Sequence, residues 1–493
     1  MKQTITFQNL TVAPYEVEQL LDVQLEHGIN RHSTCYFKAL LPEGKKDSYV
    51  TRCTQGSEVS LLVVNSGEEN ILFRGMVQDV EIKAVQGSYY MEVSAVSYSY
   101  LLDIDKKKRT FQNKKISYEE LIQQVVADCR NAMIHDVVTQ EEKTKQLLVQ
   151  YEETNWEFLK RLASHFHTGL VNDVHVDYPR LYFGVPHRGK HKIETFHYRV
   201  KQDMGKYLKW SKSGMKGLQE QDFVYYQVET KVPVNIGDEV QFQGQTLYVY
   251  QVKASMEKGE FLFQLTLTTE NGMSQLYQCH EKIVGASLSA RVTDIQNDRV
   301  KVSLEIDEIC GHFPGEPCFF PYSTIYSSQD GSGWYCMPEQ GDQVRIYFPD
   351  GVEEHSYAIS SVHEEVDPAM LSAAGAKEAN SDSNTSEGVV YSGQRDNPNI
   401  KSLRNQNGKE IRLAPEGIYI ITDSATIMLT DEGGISIVSD QNIEFKSDKS
   451  IHISAEQDVN IVGLTGVDLS CNETASIKIE ENVEVIGQEV KAN

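Results

Sequence analysis

The chain has 493 residues, with 47 basic and 71 acidic side chains and a formal net charge of −24. That length is too great for one compact domain, and about three are expected. The acidic balance makes nucleic acid and anionic membrane poor partners for the surface as a whole, while favouring solubility.

The first residues, MKQTITFQNLTVAPYEVEQL, have no basic stretch followed by an apolar core, so no cleaved secretory signal is expected. No apolar run approaches the roughly 18 residues of a membrane span. Assembly in the cytoplasm follows, with export by some route other than general secretion. Eight cysteines (Cys35, Cys53, Cys129, Cys279, Cys310, Cys318, Cys336 and Cys471) are scattered along the chain. That scatter predicts free thiols in a reducing compartment. Cys310, His312, Cys318 and Cys336 come nearest to a metal cluster, but their spacings fit no zinc module. No metal and no cofactor is expected.

From residue 1 to about 110, LLDVQLEHG, TCYFKALL, GSEVSLLVVN, ILFRGMVQDVEI and YYMEVSAVSYSYLLD show partial alternation and predict strands of a small barrel or sandwich. Ser117 and Glu120 form a capping-box pattern ahead of Leu121, Ile122, Val125 and Val126, predicting a helix near 117–128. A second helix is predicted near 154–166, where Trp156, Leu159 and Leu162 with Phe158 and Phe166 make an apolar stripe. Strands resume at LYFGVP and form a second β unit through EFLFQLTLT. Residues 281–365 predict about five strands, the size of an OB-type barrel. Residues 366–388 lack periodicity and read as a linker.

The last segment, 389–493, holds a repeat. Ile427/Leu429, Ile435/Ile437, Ile443/Phe445, Ile451/Ile453, Val459/Ile461 and Val467/Leu469 recur at a step of eight residues. A fixed short period is the mark of a stacked β architecture. In a strand, residues i and i+2 face the same way, so each pair gives one oily face followed by a turn. Such a strand needs neighbours to bury that face. Either one chain coils into a solenoid, or three chains wind together with the pairs inside; spacing alone does not separate the two. Phe445 and the irregular steps at Pro415, Gly417, Ile477 and Val483 are expected to help fix register.

Read in order, these segments resemble the valine-glycine repeat (VgrG) spike family of type VI secretion and its relatives, the hub-and-needle proteins of contractile phage tails. ILFRGMVQDVEI is similar to an early strand of the family. QYEETNWEFLKRLASHFHTGLVND is similar to its most recognisable stretch, through Gln150, Tyr151, Glu153, Trp156, Phe158, Leu159, Leu162 and Gly169. The OB hallmark P-x-x-G-D-x-V-x-V-x-F-x-x-G is matched by Pro338, Gly341, Asp342, Val344, Ile346, Phe348 and Gly351. The resemblance implies a mainly β protein with a few helices: hub barrels over 1–280, an OB-fold barrel, and a C-terminal intertwined triple-stranded β-helix needle. It implies a homotrimer whose hub matches a threefold needle to a sixfold, Hcp-like tail tube. Implied partners are baseplate proteins, a PAAR-type tip protein and effector cargo, with the needle puncturing a target membrane.

G-x-S-x-G, H-E-x-x-H and G-x-x-x-x-G-K-[ST] are missing, and 71 carboxylates single out no acid–base pair. His187, His191 and His197 fit neither a helix face nor one strand face. Gly331, Ser332 and Gly333 read as a surface turn, and Trp156 and Phe158 as core rather than a ligand groove. The expectation is therefore a non-enzymatic spike. A trimeric adhesin or tail-fibre-like protein, and then a β-solenoid polysaccharide enzyme, are the competing readings.

Overall fold

A computed structural model describes residues 4–45, 49, 53, 56–65, 68–195, 197–325, 328, 336–359, 399–405, 407–471 and 475–479. The chain is mainly β and divides into two compact units, Met1–Pro368 and Ala369–Asn493.

The first unit is built on a twelve-stranded sheet. Its first half comprises β1 (Leu10–Ala13), β2 (Gln19–Gly28), β3 (Thr34–Leu41), β4 (Glu58–Asn65), β5 (Glu68–Val85) and β6 (Ser88–Val96). Alternation decides which face is core. In β3, Cys35, Phe37, Ala39 and Leu41 are buried and the residues between them face outward.

Between the two halves sits a mixed module. It contains β7 (Lys107–Phe111), α1 (Tyr118–Val126), β8 (Met133–Asp136), β9 (Leu148–Glu153), α2 (Asn155–Ser164), β10 (Leu170–Asn172) and β11 (Arg180–Phe183). Ser117 Oγ accepts from the Glu120 N–H at 3.1 Å and starts α1. Thr154 and Glu157 make a full capping box on α2. The apolar stripes of both helices meet in one core with Phe111, Ile134 and Phe183.

The second half of the sheet comprises β12 (Lys190–Lys192), β13 (Tyr198–Gln202), β14 (Val224–Thr230), β15 (Glu239–Phe242), β16 (Gln245–Glu257) and β17 (Glu260–Thr268). A helix not foreseen from the sequence, α3 (Met204–Ser211), lies between β13 and β14; only Trp210 of it is buried, so its apolar period is weak.

The two halves share one plan. The strand order is β2-β3-β6-β5-β4 in the first and β13-β14-β17-β16-β15 in the second. Both long hairpins close on a two-residue turn with positive φ at each position, Gln86-Gly87 and Lys258-Gly259. Both carry a bulge at the same distance from that turn, between Val77 and Asp79 in β5 and between Val249 and Gln251 in β16. β2 lies antiparallel on β16 and joins the halves.

A five-stranded sheet follows, in the order β20-β19-β18-β21-β22. Its strands are β18 (Ser287–Gln296), β19 (Arg299–Leu304), β20 (Phe319–Pro321), β21 (Gln343–Tyr347) and β22 (Tyr357–Ile359), with a short helix α4 (Glu305–Ile309) after β19. Its core takes in Leu147, just before β9, and Val149 within it, so the module and this sheet share packing.

The second unit opens as an antiparallel meander. It runs through β23 (Lys401–Arg404), β24 (Glu410–Ala414), β25 (Gly417–Ile421), β26 (Ala425–Thr430) and β27 (Gly434–Ser439). Gly417 is required by space: a Cβ there would lie 2.4 Å from the Leu429 carbonyl oxygen. Pro415 sits in the turn just before it, between the paired Ala414 and Gly417. Within the lone chain, residues 440–466 join no strand, and pairing resumes only in β28 (Val467–Cys471) with β29 (Ala475–Ile479). The sequence predicts strand pairing at every eighth residue. A single copy makes it only at the first two pairs and the last, because an isolated two-residue oily face offers too little to bury. The linker at 366–388, the turn at Gly331–Gly333 and Val483 lie outside the described residues.

Candidate functional site

Three groups of residues stand out from the sequence, and each has a distinct place. The first, Gln150 to Gly169, forms a joint between the mixed module and the five-stranded sheet. Gln150 is fully buried; its Oε1 accepts from Arg109 Nε at 2.8 Å and its Nε2 donates to the Glu153 carbonyl and to Asn155 Oδ1. Trp156, Phe158, Leu159 and Leu162 are core, as their helical spacing predicts, with Trp156 against the His32 ring at 4.2 Å and Phe158 stacked on Phe111. Tyr151 packs toward the five-stranded sheet under the Lys108 ammonium. Gly169 allows close approach, since a Cβ would meet Ile29 Cγ2 at 2.4 Å.

The centre of this joint is an ion cluster the sequence reading missed. Arg161 is 3% exposed. It donates to both oxygens of Glu153 at 2.9 Å, to Glu353 Oε1 at 2.8 Å and to the Val149 carbonyl at 2.7 Å. Buried His280 places Nε2 3.1 Å from Glu153 Oε2, at an angle poor for a hydrogen bond. Burial by itself would raise the Glu153 carboxyl; the neighbouring His280 and Arg161 outweigh it and hold the group below its ordinary value. Burial would likewise lower Arg161, and the two glutamates reverse that. The sequence signal for this cluster is faint: an arginine inside an apolar helix stripe, eight residues after a glutamate.

A second tie runs from α4 to β7. Asp307 is 2% exposed and accepts from the Thr110 N–H at 2.6 Å and its hydroxyl at 2.5 Å. Burial pushes its carboxyl up to about 6, against the pull of those bonds. The suspected cysteine–histidine cluster lies along the same strand. Cys310 Sγ meets the Lys108 carbonyl, His312 Nε2 lies 2.9 Å from the Thr110 carbonyl, and the Cys318 N–H donates to Gln112 Oε1. Among the described residues no group of three metal-ligating side chains converges. His187 and His191 are spent separately, on the Gly237 carbonyl and on Asp238.

The second group, the OB hallmark, sets up β21. Gly341 has φ +96 and its N–H donates to the Val292 carbonyl at 2.8 Å. Asp342 turns back to accept from the Glu339 N–H. Val344, Ile346 and Phe348 are buried in alternation, and Pro338 is buried beside them. A Cβ on Gly351 would press on Cys279 and His280 at 3.1–3.4 Å.

The third group is the repeat. Ile427 pairs with Ile437 and Leu429 with Ile435 across β26 and β27. The apolar ladder nonetheless faces outward in a lone chain: Ile435 is 74% exposed, Phe445 70%, Ile453 73% and Ile461 64%. Ile443, Ile451 and Val459 are exposed as well, and Val467 is half-buried. Leu469 pairs with Ile477 in the terminal hairpin.

Residues 45–166 match the family model of the phage tail baseplate hub. No curated protein matches the chain. Among solved structures the chain is similar to the E. coli c3393 protein, a type VI secretion component with structural similarity to the T4 bacteriophage tail proteins gp27 and gp5. That likeness has TM-score 0.52 at 13% identity and covers 72% of this chain and 99% of that one. It is also similar to a chain of the Francisella PdpA-VgrG complex, with TM-score 0.50 at 7% identity, covering 85% of this chain and 83% of that one. The hub-family match is thus confined to residues 45–166, and over most of the chain the fold is similar to that of these tail and secretion proteins.

Proposed function

We propose that this chain is the homotrimeric, non-enzymatic spike of a contractile injection machine. The observation that carries the proposal is the outward-facing ladder. Aliphatic pairs repeated every eight residues and left exposed in a single copy need an occupant with the same period, and another copy of the chain is the simplest one. A single-chain solenoid would have buried them within one copy.

In the trimer these pairs form the inside of an intertwined needle that punctures the target membrane. The hub halves seat the needle on an Hcp-like tail tube and the baseplate. A PAAR-type protein caps the point, and effector cargo docks on the spike; the PdpA-bound VgrG among the similar structures supports a partner of that kind. No helix among the described residues is long and apolar enough to cross a membrane, which fits delivery with the apparatus.

Solution mass tests the reading. A native mass near three times 55.8 kDa is expected. A folded monomer at micromolar concentration would overturn it.

A further inference from the structure

The return from β10 to β11 turns on one carboxylate. Asp173 Oδ1 accepts from the His175 N–H at 3.0 Å, and His175 Nδ1 lies 2.9 Å from the same oxygen. The Asp173 N–H donates in turn to the Arg180 carbonyl at 2.9 Å. This short return sets Arg180, the first residue of β11, beside Asp173. Arg188, just before β12, reaches the same place and donates from Nη1 to the Tyr182 hydroxyl at 3.1 Å.

Positive charge is in surplus there. The two guanidinium groups share Asp173 Oδ2 at 3.7 and 3.9 Å, both beyond hydrogen-bond distance. His27 of β2 is close enough to feel His175 and Arg188. One carboxylate therefore faces two arginines and two imidazoles. Burial first, then His175, with Arg188 acting the same way, pushes the His27 ring down to about 4. The neighbouring carboxylates are already engaged: Asp238 by the Gly189 N–H and His191, Glu239 by Lys190, and Glu26 by Lys253.

Donors are in surplus as well. Arg188 spends one N–H on Tyr182. Arg180 forms no side-chain hydrogen bond among the described residues, and its Nε is buried without a partner. Neutralising Asp173 would take one arginine in forked contact. Two held beyond hydrogen-bond distance, with donors unspent, point to a further partner. Access is open, since the Arg180 and Arg188 side chains are 31% and 34% exposed. The floor is firm, since Asp173 and Tyr182 are buried, and a small cavity lined by His27, Val174 and His175 lies behind it.

We propose that Arg180, Arg188 and His175 form a binding site for a doubly charged tetrahedral oxyanion, either inorganic phosphate or the phosphate group of a monoester. Forked guanidinium groups match phosphate oxygens in pairs. The Tyr182 hydroxyl accepts from Arg188, so its own hydrogen is free to donate to the ion. An imidazole beside such an ion is favoured in its charged form, which lets the site balance a second negative charge. The Asp173 carboxylate repels an anion, so the ion is held on the solvent side of the two guanidinium groups. A simple carboxylate, with one charge and two oxygens, would leave part of the surplus unmet.

The test is calorimetric titration of the full chain with inorganic phosphate, phenyl phosphate and acetate, near neutral pH and at matched ionic strength. At least one of the two phosphates is expected to bind with Kd at or below about 1 mM. Acetate is expected to bind at least about tenfold more weakly. Arg180→Gln and Arg188→Gln are each expected to weaken phosphate binding at least about tenfold. Arg188→Lys, which keeps the charge without the fork, is expected to fall between. Lys190→Gln removes an exposed cation two residues from Arg188 and should change binding by less than about twofold. Melting temperatures without phosphate check that each variant keeps its fold. Tighter binding of inorganic phosphate identifies the free ion as the ligand, and equal or tighter binding of phenyl phosphate identifies a monoester. Acetate binding as tightly as phosphate, Lys190→Gln losing as much as the arginine variants, or no heat with either phosphate up to about 10 mM overturns the site.

Discussion

At the scale of single residues, the joint between the mixed module and the five-stranded sheet is held by buried charge, and such charge is unforgiving. Arg161→Ala would strand the Glu153 and Glu353 carboxylates in a dry interior. A loss of about 3–5 kcal/mol is expected, measured as denaturant midpoint against the unsubstituted protein. Arg161→Lys cannot reproduce the forked contact to both oxygens of Glu153 and should recover only part of that loss. Asp307 makes a pH-dependent contribution of definite sign. Its folded carboxyl sits near 6, above an unfolded value of about 3.9. The folded state therefore holds a proton that the unfolded state releases, and this residue's contribution falls as pH rises from about 4 to about 6. The fall is at most about 3 kcal/mol. Asp307→Asn should remove that part of the slope; identical slopes in both proteins across this window would sink the assignment.

At the scale of elements, the repeat and its entry turn make opposite demands. Gly417→Val is expected to break the β25–β26 ladder, because a side chain there meets a backbone oxygen at 2.4 Å and neither strand can retreat without losing hydrogen bonds. Loss of strand signal and protease sensitivity after Ala414 would register it. Ile453→Asp is the sharper case. Its side chain is 73% exposed in one copy, so a lone chain loses almost nothing. Inside a trimeric core the same change buries three carboxylates around one axis and should abolish the trimer. Unchanged mass for Ile453→Asp would place this rung outside the needle core.

At the scale of the whole molecule, the chain divides into two compact units, and the buried apolar clusters lie in the first. Scanning calorimetry is expected to show two transitions. Ile453→Asp should remove or lower the one belonging to the repeat unit while leaving the transition of the first unit in place. A single transition shifted as a whole would mean that the units fold as one. The charge of −24 belongs to this scale also: it keeps a protein with exposed strand edges and an exposed apolar ladder from associating without selection before partners are met.

The sequence by itself determined what local periodicity can carry. Alternation of two marked the strand TCYFKALL that forms β3, the 3.6-residue stripe marked α2, and the step of eight marked the repeat. Each of these is a short-range pattern in which neighbours along the chain also share a face. Only the tertiary structure decided the rest. The Arg161–Glu153–Glu353 cluster unites residues up to 192 positions apart, and Asp307 with Thr110 spans 197. The shared plan of the two sheet halves is visible in strand order, bulge position and turn geometry, though their residues differ. Long-range pairing is set by which faces remain to be buried once each element has formed, and no local window of sequence contains that information.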